Sequence, residues 1–369
     1  MSTDRSANIN GSILRLISLR LYVSRFILWF QELTHDQRSI RIIRYAVGVS
    51  VSTALAFAIE WPLSFLTPVL TAVVLAMPLP ALSLRGGLKN MLHTVSAFAL
   101  GLVFTLFLLP YPLIYVPMLG LALFQIYYLL NRGGSFWLVL MSLLAILILP
   151  MLSNTSEGLA TGFVFGFVWS GWLTVVMIWM AHMLVPDPPG GNPLPKRPGF
   201  QAVYSLPAAQ AALKSTIVVL PLATVFIVAD LSGLLLVMVF AAIFSLSPDL
   251  GKGTEAGKNS LMSTVIGGLG AWVFYYLIVA VPQYHFFIAL IFLTCLYFGN
   301  IIFSDRPAAK YFGSAFVALF ILVNSSTGED ADFSSLFMMR MLFIFLATLY
   351  VIAALMVLER YWPRRLKES

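Results

Sequence analysis

Cysteine, histidine and charge are all scarce in this 369-residue sequence. The single cysteine, Cys295, lies inside an apolar run, which excludes a disulfide framework and a thiolate metal site and leaves the role of a small buried hydrophobe. Of the four histidines no two share a metal-ligand spacing, so neither a metal nor any other cofactor is expected. Charged residues make up 10% of the chain where a soluble domain carries about 25%, which excludes an ordinary water-soluble protein. Disorder is excluded in turn by a mean hydropathy of +0.93 and 29 Phe. The net charge of +7 is spread between apolar segments instead of gathered on one face, so a nucleic-acid partner is not expected. A phosphate-binding loop is missing too. The stretch Gly251-Lys252-Gly253-Thr254-Glu255-Ala256-Gly257-Lys258-Asn259 has Lys252 where the leading Gly belongs and Asn259 where Ser or Thr belongs. No nucleotide engine is present, and an enzyme is not expected.

What the sequence has in abundance is apolar runs of membrane-crossing length. A spanning helix needs about 20 apolar residues, because lipid offers no partner to an exposed backbone N–H or C=O. Twelve runs qualify. Six cover 39–60, 62–82, 89–109, 111–131, 134–151 and 157–185, and six more cover 207–229, 231–248, 259–281, 283–303, 307–325 and 334–359. The expected architecture is all-α and polytopic. A cytoplasmic N-terminus (1–38) is followed by a six-helix half (39–185), a Pro- and Gly-rich linker (186–205), a second six-helix half (206–359) and a tail (360–369).

Lys and Arg collect in alternate loops: Arg38 and Arg41, Arg85 and Lys89, Arg132, Lys196 and Arg197, Lys252 and Lys258, Arg306 and Lys310, and Arg360 to Lys367. The opposite loops hold Glu60, Glu157, Asp230, Glu329, Asp330 and Asp332 and no base, which puts both termini in the cytoplasm. Residues 11–34 are apolar but carry Arg15, Arg20 and Arg25, and each would cost about 2.5–3.5 kcal/mol at a helix centre. An N-terminal interfacial helix among lipid headgroups is the expectation there.

The halves are internally related. A shift of 170 residues superposes Glu60 on Asp230, Arg44 on Lys214, Pro78 on Pro248, Gly87 on Gly257, Thr94 on Thr264, Pro112 on Pro282 and Tyr127 on Tyr297. Six spans per half give both halves the same orientation, so parallel repeats about an axis along the membrane normal are expected, an arrangement found among secondary transporters.

Candidate site residues follow from charge and breakers within this frame. Glu60 and Asp230 each end the first helix of their half on the outer side, where partial desolvation would suit a carboxylate for proton coupling; capping the next helix is the structural alternative. Arg340, two turns inside the last run, could bind a substrate carboxylate or snorkel toward Asp330 or Asp332. Lys214 reads as a topology anchor and as a weaker substrate contact. His93 and His285 sit at span ends, fit for a proton relay or for a structural role. Trp169 and Trp172 offer aromatic stacking, most of the aromatic side chains in that run facing lipid or core. The short, Pro-marked second and eighth runs, with Pro68 in the former, mark the position of a transporter binding site. Gly162, Gly166, Ser170, Gly267 and Ala271 form small-residue packing faces, which leave a homo-oligomer open.

Six spans, a linker, six spans, and Gly253-Thr254-Glu255-Ala256-Gly257 in a loop before the ninth helix resemble the fusaric acid resistance and aromatic acid exporter superfamily, over roughly residues 40–360. With no large soluble domain between its halves, the chain looks like a compact branch. The resemblance implies a bacterial inner-membrane efflux pump driven by proton import. Its small-molecule substrates would be aromatic carboxylates or related hydrophobic compounds, and a periplasmic adaptor protein would be a partner beside membrane lipid. A passive anion channel and a lipid-handling scaffold are the alternatives.

Overall fold

The computed structural model describes residues 37–77, 83–186, 200, 203–231, 235–246, 250–326 and 333–361. The expected interfacial helix at 11–34, most of the linker and the tail lie outside these residues. The described chain is all-α. The helices are α1 (Gln37–Ile59), α2 (Leu66–Ala76), α3 (Leu84–Leu108), α4 (Pro112–Asn131), α5 (Phe136–Thr155), α6 (Glu157–Leu184), α7 (Leu206–Val228), α8 (Leu235–Phe244), α9 (Leu250–Ala280), α10 (Tyr284–Ile302), α11 (Ala309–Ser326) and α12 (Phe333–Tyr361). Each expected run contains one helix.

Nine of the helices are long and apolar enough to cross a membrane; α2, α8 and α11 are shorter. This corrects the expectation for the second and eighth runs. With 11 and 10 residues, α2 and α8 are about 15 Å long at 1.5 Å per residue, half a hydrocarbon core. For α2 the cause lies in the preceding turn. Glu60 and Leu63 adopt left-handed backbone with φ of 48° and 63°, so residues 60–65 cannot propagate a helix. Asp230 has the same conformation, φ 50°, at the end of α7. Pro68 costs α2 nothing, because it stands in the first turn, where its missing N–H would have had no intrahelical partner.

Two other boundaries also move. The ninth helix starts at Leu250 instead of 259 and the third at Leu84 instead of 89, the latter with Ser83 Oγ accepting from Gly86 N–H at 3.1 Å. Hydropathy marks where a helix enters lipid, and these helices extend beyond that point. The Gly253–Gly257 motif, expected in a loop, therefore lies on α9. A β-carbon at Gly257 would collide with Thr348 of α12, so this glycine serves close helix contact.

Packing follows one scheme twice. In the first half α3 lies on α5 and α6, α1 on α2 and α6, and α2 on α6; in the second half α9 lies on α11 and α12, α7 on α8 and α12, and α8 on α12. Between the halves α4 pairs with α7 and α10 with α1, while α5 touches α8 and α11 touches α2. Gly101 of α3 approaches Ala145 of α5, and Gly267 of α9 approaches Ala315 of α11. The buried core is consequently divided. One cluster draws on α4, α5, α7, α8 and α12 and another on α1, α2, α6, α9, α10 and α11, both mixing the two halves, and a third on α3, α5 and α6 of the first half alone. Tyrosine and asparagine side chains tie these helices together: Tyr127 donates to the Ala242 carbonyl (3.0 Å), Tyr350 to Val218 (2.7 Å) and Asn154 to Ile227 (2.8 Å). Cys295 is fully buried and free, in the role expected of it.

Candidate functional site

A cavity of about 670 Å³ opens among the second-half helices where α2 and α8 end. Its α9 wall is polar. Asn259, Ser260, Ser263 and Thr264 recur at helical spacing, so they share one face of that helix. Lys310 and Ser314 of α11 and Arg340 of α12 add polar atoms, while Val73, Met77, Phe240, Ile243, Phe244 and Val317 supply an apolar wall. Phe240 and Phe244 stack on each other with ring centroids 5.8 Å apart.

Charge in this cavity has one sign. Among the described residues Lys310 and Arg340 line it and no carboxylate does. Lys310 stands in the first turn of α11, about half exposed, and is paired with Glu255 at 3.4 Å. Arg340 is different: its Nε atom is buried and has no hydrogen-bond partner. The Asn259 carboxamide oxygen is buried and unpartnered as well. An unpaired guanidinium and an unpaired acceptor in one cavity together ask for a ligand that brings an anion and a hydrogen-bond donor. Ser263 has spent its hydroxyl hydrogen on the Asn259 carbonyl, at 2.7 Å.

The first half treats the corresponding position differently. Thr94, 170 residues before Thr264, accepts the indole N–H of Trp137 at 2.9 Å and donates to the Asn90 carbonyl at 3.0 Å. Trp137 thus occupies the space beside Thr94, whereas Thr264 faces open volume.

Of the residues singled out in the sequence, only Arg340 lines this cavity. Glu60 and Asp230 lie on the protein surface, and their distinctive feature is left-handed backbone. The turn after Glu60 is held from α6. Ser170 Oγ accepts from Trp61 Nε1 and donates to the Leu63 carbonyl, both at 3.0 Å, and Gly166 lets the Pro62 carbonyl approach. The packing role expected for Gly166 and Ser170 is therefore directed at this turn, and nothing lies within 4 Å of a β-carbon built on Gly162.

Trp169 and Trp172 are 44% and 48% exposed on α6 and do not line this cavity. The aromatic core contacts of α6 come instead from Phe163 and Phe167, which pack on Phe98. His93 lies 3.4 Å from Ser135 Oγ, and His285 is exposed with its ring edge-on to Tyr284. Lys214 is half-buried in α7 and Pro68 is buried against α6; neither lines the cavity. What the sequence reading missed was the α9 stripe. Four hydroxyl or amide residues at spacings of one, four and five within an apolar helix were a legible signal.

Residues 41–181 match a family described as a protein of unknown function, DUF2955. The matched stretch runs from the first turns of α1 to the last turn of α6 and so coincides with the first six-helix half. No curated protein and no solved structure matches the chain.

Proposed function

We propose that this protein is a secondary transporter that carries small organic anions, aromatic carboxylates among them, out of the cytoplasm in exchange for protons. The observation that carries the reading is Arg340, a guanidinium with a buried, unpartnered Nε in a cavity that no carboxylate lines among the described residues. A cation at such depth is unfavourable, and a bound anion would offset that cost. An aromatic acid matches the remaining lining: its carboxylate on Arg340, a ring hydroxyl donating to Asn259, and its body against Phe240 and Phe244.

Two parallel six-helix repeats form the scaffold in this reading. Support comes from the helix pairings that recur six helices later and from the matched left-handed Glu60 and Asp230. The half-length α2 and α8, at corresponding positions and both contributing to the cavity wall, support a binding site at the repeat interface. With both termini in the cytoplasm of a plasma membrane, as the Lys and Arg bias gives, Lys310 marks a cytoplasmic mouth and Arg340 the deep end. Proton coupling stays with Glu60 and Asp230, exposed at the outer ends of α1 and α7.

Everted membrane vesicles energised inside-acid test the exchange. Addition of 4-hydroxybenzoate should release protons from vesicles carrying the wild type and not from those carrying Arg340→Gln. Flux of 4-hydroxybenzoate through purified, reconstituted protein without proton movement would replace the exchanger by a passive anion channel.

A further inference from the structure

A second cavity, of about 390 Å³, lies at the seam where α1 of the first half pairs with α10 of the second. Its wall consists of Gln37, Arg38 and Arg41 from the first turns of α1, Ile302, Phe303 and Ser304 from the end of α10, and Ala76 at the end of α2. Gln37, Arg38 and Arg41 stand at i, i+1 and i+4, on one side of the helix. Among the described residues that line this cavity there are two guanidinium groups and no carboxylate.

The two arginines are held differently. Arg38 Nη2 donates to the Asn300 carbonyl at 2.7 Å and to Asn300 Oδ1 at 2.8 Å, a clamp on the last turn of α10 where a cation also suits the helix dipole. Ser304 Oγ donates to the Ile301 carbonyl at 2.7 Å, and it is the acceptor for the Arg306 N–H. Both polar groups on the α10 side are therefore engaged in ending that helix. Arg41 is half-buried and makes no hydrogen bond, ion pair or ring contact among the described residues. A guanidinium fork left open beside a fixed one, with the Gln37 amide alongside, fits the oxygens of a phosphate or carboxylate.

We infer that this seam is an oxyanion-binding site in which Arg41 is the principal ligand, supported by Gln37 and by the clamped Arg38. It sits at the level where the first span leaves the membrane, so the oxyanion has two sources of the same chemistry: the phosphate of an anionic phospholipid, or a free anion from the aqueous side. The cavity shares Ala76 and Ile302 with the larger one, so an occupant here would brace the end of α2 against α10. The inference does not depend on transport, and its test reads binding alone.

The test uses purified full-length protein and the variants Arg41→Gln, Arg41→Lys and Gln37→Ala. Native mass spectrometry after equilibration with phosphatidylglycerol or with phosphatidylcholine reports a lipid ligand. Thermal unfolding in detergent with increasing inorganic phosphate, at constant ionic strength, reports a free one. The expected result is retention of phosphatidylglycerol over phosphatidylcholine, or stabilisation by phosphate. Either should fall about tenfold in apparent affinity in Arg41→Gln, the scale of one charge-assisted contact, and less in Arg41→Lys. Selective lipid retention without a phosphate effect identifies the headgroup as the source, and the reverse identifies the free anion. Equal behaviour of wild type and Arg41→Gln with both probes would overturn the site. Gln37→Ala leaves the charge intact and keeps the test open if Arg41→Gln fails to fold: wild-type affinity in Gln37→Ala for both probes, or no binding of either by the wild type, counts against the site.

Discussion

Arg340 and Glu60 illustrate opposite relations between a charged residue and its surroundings. An unpaired guanidinium within a span is unfavourable by about 2.5–3.5 kcal/mol on insertion scales, so Arg340→Leu should raise the unfolding temperature of the ligand-free protein. A fall would mean that Arg340 is held by a structural partner and is not waiting for a ligand. At Glu60 and Asp230 the penalty is conformational, since both have φ near 50°. Replacement by glycine, which adopts that backbone freely, should stabilise by about 0.5–1 kcal/mol per site, read from urea unfolding in mild detergent. The same glycine variants should lose proton coupling if the carboxylates serve it, so stability and coupling separate the backbone role from the chemical one. Ser170 is fixed by a third logic. Its hydroxyl satisfies both Trp61 and the Leu63 carbonyl, and Ser170→Ala should cost about 1–3 kcal/mol by leaving them unpaired.

At the scale of elements, close approach sets the geometry around the cavity. Gly257→Ala would push α9 away from Thr348 of α12, the two helices that carry the Asn259 stripe and Arg340. The expected outcome is a loss of about 1–3 kcal/mol in stability and weaker anion binding, measured together by thermal unfolding with and without 4-hydroxybenzoate. All twelve helices were legible in the sequence, because hydrophobic runs bounded by charge admit no other structure in lipid. Their ends were not. The residues after Glu60 are apolar enough to read as span, yet a left-handed Leu63 makes them a turn, and hydropathy carries no record of φ. Arg340, which lines the cavity, was legible as a residue to look for because charge in a span demands a reason. That Trp169 and Trp172 lie away from this cavity was not legible, because helical periodicity does not distinguish a cavity-facing aromatic from a lipid-facing one when every face of α6 is apolar. The Asn259, Ser260, Ser263 and Thr264 stripe was present in the sequence, and read with helical spacing it points to the polar wall of the cavity.

The molecule as a whole is two halves that do not close upon themselves. The two larger apolar cores take helices from both, through α4 with α7 and α10 with α1, while a third, of α3, α5 and α6, lies within the first half. Residues 1–186 expressed by themselves should be protease-sensitive and aggregate in detergent. Co-expression with residues 200–369 should restore a resistant, monodisperse complex, assessed by limited proteolysis and size-exclusion chromatography. The two halves differ beside the cavity, since Trp137 occupies the space beside Thr94 while Thr264 lines the cavity. The central claim, that the Arg340 cavity carries an anion across the membrane, is tested most directly by uptake of radiolabelled 4-hydroxybenzoate into proteoliposomes under an imposed pH gradient. Saturable uptake by the wild type, lost in Arg340→Gln and partly retained in Arg340→Lys, is the predicted result. Uptake in Arg340→Gln equal to the wild type, or no uptake by either, would contradict it.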